Sequence, residues 1–410
     1  MRADLIERLA QRHAARTQAG LARRLRTIFE ARGPHVVVDG RELLSFASND
    51  YLGLAGHAAV RDALVRSAQR DGVGATAAHL LGGHRGEHAA LETELAEWLG
   101  RPRALLFSSG WLANLGTCAA LLGEGDLCVQ DKLNHASLLD GARLAGATLK
   151  RYVHGDGDSA RRQLTTATDT PALLATDGVF SMDGDVAPLA ALAGVARETR
   201  ATLMVDDAHG IGVLGPDGRG SVAEAGLSCE DVPVLMATLG KALGTAGAFV
   251  AGSAALIEGL VQFARPFVYT TAPPPALAAA ARAAIAVARH EHWRRDKLAT
   301  LVAHFRRGAL ARGFALADSR TPIQPVLLGD AARAVAAAQA LEAAGFWVPA
   351  IRPPTVPEGG ARLRVTLSAL HTERDVAALL DALERALAQP ARGARAPRAG
   401  AASRRERRTR

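Results

Sequence analysis

Lysine is scarce in this chain. It occupies four positions, Lys132, Lys150, Lys241 and Lys297, among 49 basic residues. Where arginine is the default cation, a lysine inside a tight loop points to chemistry that arginine cannot do. Lys241 sits in such a loop, Thr238-Leu239-Gly240-Lys241-Ala242-Leu243-Gly244, directly after the apolar run 233–237. Arginine stays charged in proteins, whereas a desolvated lysine yields a neutral amine that can form an imine. The flanking glycines let a ligand approach the backbone closely. A phosphate-binding lysine is the competing reading, but GxxxxGK[ST] needs glycine where Leu235 stands and Ser or Thr where Ala242 stands.

A second constellation is Leu203-Met204-Val205-Asp206-Asp207-Ala208-His209-Gly210, an apolar strand that ends in two acids and a histidine. Open α/β sheets bind ligands at that carboxyl edge. Asp206 there suits pairing with a protonated pyridine nitrogen, and His209 suits a phenolic oxygen. A metal is the rival reading, and only one histidine accompanies the two acids, so none is expected. Gly210-Ile211-Gly212-Val213-Leu214-Gly215 matches the dinucleotide fingerprint GxGxxG. A helix should begin within that fingerprint, yet Pro216-Asp217-Gly218 follows and breaks one. The match is a decoy.

Phe107-Ser108-Ser109-Gly110-Trp111-Leu112-Ala113-Asn114 runs from a strand through a Ser/Gly turn into an apolar helix, whose free amides suit a phosphate. His135 follows the apolar run around Leu127 and could stack on an aromatic cofactor, although a lone histidine is more often structural. His84-Arg85-Gly86-Glu87-His88 is not HExxH, and Gly86 argues for a loop.

The elements that must position these residues follow from periodicity. Leu5, Leu9, Leu21, Leu25 and Ile28 predict an amphipathic helix over 1–30, followed by a strand pair around Asp39-Gly40. Short apolar runs at 104–107, 172–176, 202–205, 233–237 and 248–251 alternate with helices over 88–99, 111–122 and 187–199. That order predicts a mostly parallel sheet covered on both faces. An Ala-rich helical stretch, 276–311, leads to an α+β unit with strands 323–328, 346–351 and 362–367 and helices 331–344 and 372–388. The expected organisation is a helix-and-strand arm (1–45), a large cofactor domain (46–285), a smaller C-terminal α+β domain (286–390) and a disordered basic tail (391–410).

That tail holds eight Arg and one Glu, or 8 − 1 = +7 of the net +8, leaving the rest of the chain near +1. It raises a nucleic-acid alternative, but the blander reading is a neutral extension, and no specific nucleic-acid partner is expected. Cys118, Cys128 and Cys229 form no CxxC pair. No apolar run reaches the roughly eighteen residues a bilayer span needs, and residues 1–24 lack the core of a signal peptide. A cytoplasmic protein with no membrane partner is expected.

In this order the segments resemble the α-oxoamine synthases, a group of fold-type I pyridoxal 5′-phosphate (PLP) enzymes. The resemblance rests on SNDYLGL (48–54), HASLLDGARLAGA (135–147), GVFSMDGDVAPL (178–189), VDDAHGIGVLGPDGRG (205–220), TLGKALG (238–244) and AIRPPTVPEGGARLRVTLSA (350–369). It implies a large domain with a mostly parallel seven-stranded sheet plus a smaller C-terminal α+β domain. It implies that Lys241 carries the cofactor imine, Asp206 pairs with the ring nitrogen and His135 stacks on the ring. His209 and Ser181 would flank the phenolic oxygen, and Gly110, Trp111 and Thr238 would cradle the phosphate. Tyr269-Thr270-Thr271 resembles a segment that reaches the phosphate of a neighbouring subunit, implying a homodimer with shared sites. Arg364 would bind the amino-acid carboxylate, with Asn49 lining the site and Arg23 and Thr355 near the acyl substrate. No metal is implied.

The segment 350–359 resembles the biotin-forming subgroup, which joins L-alanine to a pimeloyl thioester of coenzyme A or acyl-carrier protein. The alternatives are other members: 2-amino-3-ketobutyrate ligase, 5-aminolevulinate synthase or serine palmitoyltransferase. Gly74-Ala75-Thr76-Ala77-Ala78-His79 departs from the family's Gly/Ser-rich turn.

Overall fold

Six largely buried segments and the half-buried edge strand 148–152 (Thr-Leu-Lys-Arg-Tyr) form the central sheet, in spatial order 103–107, 248–252, 234–238, 202–206, 172–177, 127–131 and 148–152. The computed structural model describes residues 2, 4–19 and 21–388, so the expected tail 391–410 lies outside the described residues. Strand Ala248–Gly252 runs antiparallel to both of its neighbours, while the pairings from 234–238 through to 148–152 are parallel. Alternate side chains enter different cores. Leu105, Phe107, Met204, Met236 and Val250 join one buried cluster, whereas Ala104, Leu106, Ala237, Phe249 and Ala251 join another. Burial on both faces is the reason these strands read as continuous apolar runs.

Because the parallel strands share one direction, their carboxyl ends line up. Asp131, Asp177, Asp206 and Thr238 are the last residues of four of them. This edge carries the candidate site.

Two smaller sheets complete the described residues. One joins Ile28–Arg32, His35–Val38 and Arg41–Ser45 to the short strand Phe346–Trp347, and the other orders Ile323–Gly329, Ala361–Thr366 and Ala350–Ile351. Among the described residues no helix is long and apolar enough to cross a membrane.

The structure corrects four expectations. The first helix covers Leu5–Gln18 rather than 1–30, begins on an Asp4 cap and buries none of its residues. Ile28, Glu30 and Ala31 pair instead with Val38, Val37 and Val36, with a bulge at Phe29. The stretch 276–311 is two helices, Pro275–His290 and Trp293–Ala311, broken at Glu291, where the buried Arg294 turns to bond Glu291 Oε2 (2.7 Å) and Leu52 O (2.9 Å). The strand expected over 346–351 divides between two sheets, and Pro349, which has no N–H for a ladder, stands at the division. Finally, Gly86 opens the helix Gly86–Leu99 rather than lying in a loop. A glycine costs little at a first position, where its amide has no intrahelical partner anyway.

After the decoy motif, Pro216–Gly218 forms a single tight turn and the helix that follows is only Gly220–Glu224.

Candidate active site

At the carboxyl edge of the sheet lies a cavity of about 190 Å³ lined by Gly110, Trp111, Asn114, His135, Asp177, Ser181, Asp206, His209, Thr238 and Lys241, with Val179, Ala208 and Met236 as its apolar wall. The fold thus brings together eight of the sequence-predicted site residues. Lys241 enters from the turn after strand Val234–Thr238, and its Nζ lies 2.9 Å from His209 Nε2. Burial is the main cause lowering the Lys241 amine below the usual lysine range, opposed by the charges of Asp206 and Asp177. Gly244 closes this turn at φ +64, and a Cβ there would meet Ala55 N at 2.3 Å.

His209 is fixed from both sides, since the Tyr51 hydroxyl lies 2.7 Å from its Nδ1. Burial, then the Lys241 and Arg364 charges, holds the ring neutral well below the usual histidine range. The Tyr51 hydroxyl also donates to Asn49 Oδ1 at 3.1 Å, which makes Nδ1–H of His209 the donor to Tyr51. Asn49 Oδ1 in turn accepts from both terminal nitrogens of Arg364, each at 3.3 Å. Arg364 Nε donates to the Ser181 carbonyl at 2.6 Å. Among the described residues this buried guanidinium has no carboxylate partner. A buried charge without a counterion is costly, so the arrangement is complete only when an anion arrives.

Asp206 is held by two contacts. Its Oδ2 accepts from Asn114 Nδ2 at 2.7 Å, and its Oδ1 accepts from the Ala208 amide at 3.1 Å. Asn114 also reaches Ser137 Oγ at 2.8 Å, and its own Oδ1 is buried without a partner. His135 lies beside the cavity with Nδ1 2.7 Å from Ser137 Oγ, its ring edge-on to Trp111 at 5.7 Å between centroids. The neighbouring Asp177, whose Oδ1 accepts from the His135 amide at 3.2 Å, is pushed well up by burial and by the Asp206 charge. Asp207 plays a different part. It faces away into bonds with Ser221 N and Oγ and ties the following turn together.

Gly110 and Trp111 are the first residues of the helix Gly110–Leu121, and such first-turn amides have no partner within the helix. The Thr238 hydroxyl donates to Gly247 O at 2.9 Å and accepts from the Gly240 amide at 3.3 Å, so it reaches a phosphate by turning its O–H away from Gly247. The cavity therefore offers a carboxylate, a depressed amine and an anion-receptive helix start on one set of walls. That set fits PLP, a phosphorylated pyridine aldehyde: acid for ring nitrogen, amine for aldehyde, amides for phosphate.

The structure does not bring every expected residue to this cavity. Thr271 is exposed and lies in a bridge with Ala78, and Tyr269 is exposed nearby. Arg23 and Thr355 meet each other instead, Arg23 Nη2 to Thr355 Oγ1 at 3.1 Å. Thr355 lines a separate cleft of about 800 Å³ bounded by Lys132, Arg151, Met182 and the segment 353–360. Sequence reasoning missed Tyr51, Asn114 and Asp177. An asparagine in the apolar helix run 110–121 was the available signal for Asn114; nothing local marks the other two.

The chain matches the family described as aminotransferase class I and II over residues 41–383. It is 58% identical over 386 residues to the 8-amino-7-oxononanoate synthase of Stenotrophomonas maltophilia (strain R551-3), covering 94% of this chain and 95% of the relative. It is 56% identical over 377 residues to the protein of the same name from Pseudomonas syringae pv. tomato, covering 92% and 95%. Among solved structures, it is similar to the Sphingomonas wittichii serine palmitoyltransferase (TM-score 0.88, 32% identity, 94% of this chain and 98% of that one). It is also similar to SPT with PLP (TM-score 0.89, 28% identity, 94% and 98%). An 8-amino-7-oxononanoate synthase from Francisella tularensis superposes with TM-score 0.73 at 31% identity, over 84% of this chain and 97% of that one.

Proposed function

The chain belongs to the class I and II aminotransferase family, and from that premise we propose that it condenses L-alanine with a pimeloyl thioester to give 8-amino-7-oxononanoate, carbon dioxide and free thiol in biotin biosynthesis. The substrates come from the relatives at 56–58% identity that carry the name. The observation that carries the chemistry is Lys241, an amine depressed by burial in a cavity that Asp206 and a helix start also line.

When bound, PLP supplies a carbonyl that captures amines and a ring that accepts electrons from a broken bond to the amino-acid α-carbon. The remaining work belongs to the side chains. Lys241 would hold the cofactor at rest and, once displaced by alanine, take the α-proton at Nζ and later return it. A lowered amine pKa suits that exchange, because a base fully charged at neutral pH has no lone pair to offer. Asp206, fixed by Asn114, would face the ring nitrogen, and His135 would cover one ring face. Ser181 and His209 would flank the ring oxygen, while Gly110, Trp111 and Thr238 receive the phosphate. Arg364 and Asn49 would hold the alanine carboxylate, the anion that the buried guanidinium lacks, and a fork of two N–H donors matches it. Arg23 and Thr355, beside the larger cleft, would hold the acyl donor. In bond terms, a carbon–carbon bond forms between the alanine α-carbon and the thioester carbonyl, the thiolate leaves, and the alanine carboxylate departs as carbon dioxide.

A homodimer is part of this reading. The exposed Tyr269-Thr270-Thr271 segment lies away from its own cavity, in keeping with a segment that completes a second subunit's phosphate site. We place the enzyme in the cytoplasm.

The test is an absorption spectrum of the PLP-loaded protein beside Lys241→Ala, before and after L-alanine and then pimeloyl-CoA, with carbon dioxide and product measured. A lysine-linked cofactor band present only in the wild type, with product formed from alanine, is the expected result. A wild type without that band overturns the cofactor role of Lys241. Product from glycine or serine in place of alanine transfers the substrate to another member of the group.

A further inference from the structure

Three histidines outside the active site converge beneath the turn at 79–84. His79, in the short turn His79–Leu81, stacks on Phe267 with ring centroids 4.6 Å apart and planes 17° apart. Its Nδ1 lies 2.9 Å from Nδ1 of His84, so two imidazoles share a single proton. His88 is fully buried in the first turn of Gly86–Leu99. One ring nitrogen from each of the three lies within 4.8 Å of the others. One turn further on, Glu92 Oε2 is 3.7 Å from His84 Nε2. His88 and Glu92, four residues apart in Gly86–Leu99, lie on one helical face, and His84 stands in the loop just before that helix.

We infer that His79, His84 and His88 form a binding site for a divalent cation of the zinc class, with Glu92 as the adjacent carboxylate. Imidazole ligands bind such ions as neutral rings. His79 and His88 are buried while His84 reaches the surface, and Glu92 is anchored by its Oε1, which accepts from the Leu106 amide at 3.0 Å. The proton between His79 and His84 is the natural place for the metal, since a cation replaces it with two bonds. His88 is the ligand that must exchange a partner, because its Nδ1 accepts from the Arg85 amide at 2.9 Å and its Nε2 faces Pro273 O at 2.8 Å. An entry path exists: His84 and Glu92 line a cleft of about 510 Å³. This site is separate from the PLP cavity, and it departs from the sequence expectation of no metal.

The bland alternative is a hydrogen-bonded histidine cluster that packs the turn, and titration with Co²⁺ separates the two. Untagged holoenzyme is stripped with a chelator, checked for its cofactor absorption, and titrated with Co²⁺ beside His84→Ala and Glu92→Gln. His84 is partly exposed, so its replacement should fold. One Co²⁺ per chain is expected, with the intense visible absorption of a four-coordinate site, displaced by Zn²⁺. Affinity should fall by about 100-fold or more in His84→Ala, since even indirect supports of a metal site cost on the order of 10–100-fold. Absence of saturable binding by the wild type overturns the proposal without reference to any variant. Binding of wild-type strength in a folded His84→Ala overturns it equally.

Discussion

Arg364 is a cation surrounded by neutral oxygens, those of Ser181 and Asn49. If its missing counterion is the amino-acid carboxylate, Arg364→Ala should raise KM for alanine and lower kcat/KM by on the order of 100-fold, the worth of a charged hydrogen-bond pair. Steady-state kinetics with the acyl donor saturating would read this directly. Asn114 is the residue that steadies Asp206, and Asn114→Ala should weaken cofactor binding or turnover by about 10- to 100-fold, followed by spectroscopic titration of PLP. The legibility of the site divides along these lines. Lys241, Asp206 and His209 stood out because their types and neighbours are odd for a buried loop. Tyr51 and Asp177 were invisible because their roles come from partners in other segments. The Tyr51 hydroxyl meets His209 across 158 positions, and no local pattern records such a pairing.

Elements position these side chains through a few turns that admit only one residue. Gly244→Ala would place a Cβ 2.3 Å from the Ala55 amide at a positive φ, so a loss of more than about 1 kcal/mol is expected, with a lowered Tm and an altered Lys241-linked absorption. His154 ties the end of strand Leu127–Asp131 to the turn at Asp185, with bonds of 2.9 Å to each acid. Burial alone would lower this imidazole, yet the two carboxylates win and raise it to about 10. A folded-state pKa above the unfolded 6.5 means the stabilisation is complete below about pH 6.5 and fades as pH climbs through about 10. The Tm gap between wild type and His154→Gln should therefore be widest near pH 6 and shrink towards pH 10. Most strands were legible because continuous apolar runs bounded by turn residues have few other uses. The break at Glu291 was not, since an Ala-rich stretch on either side favours helix and the break is made by Arg294 reaching Leu52. The first helix was overextended because the spacing of its leucines suggested a buried face that the described structure does not cover.

At the scale of the whole molecule, the excess charge is concentrated in residues 391–410, a stretch of sequence that holds no candidate site residue. Truncation after residue 390 should leave kcat and KM within about twofold of the full chain, since a run of Arg, Ala and Gly has few apolar side chains to add to a core. Loss of turnover on truncation would favour the nucleic-acid alternative. The placement of strand Ala248–Gly252 has a consequence for how the molecule comes into being. It is the wedge between Arg103–Phe107 and Val234–Thr238, so the strand that leads to Gly110 and the strand that ends at Thr238 join one sheet only through it. A chain still on the ribosome and ended before residue 248 leaves the facing edges of Arg103–Phe107 and Val234–Thr238 unpaired, edges that Ala248–Gly252 closes in the finished sheet. Such a nascent chain should stay sensitive to protease and unable to retain cofactor. The candidate site is thus expected to form late in synthesis, once the wedge strand has closed those edges.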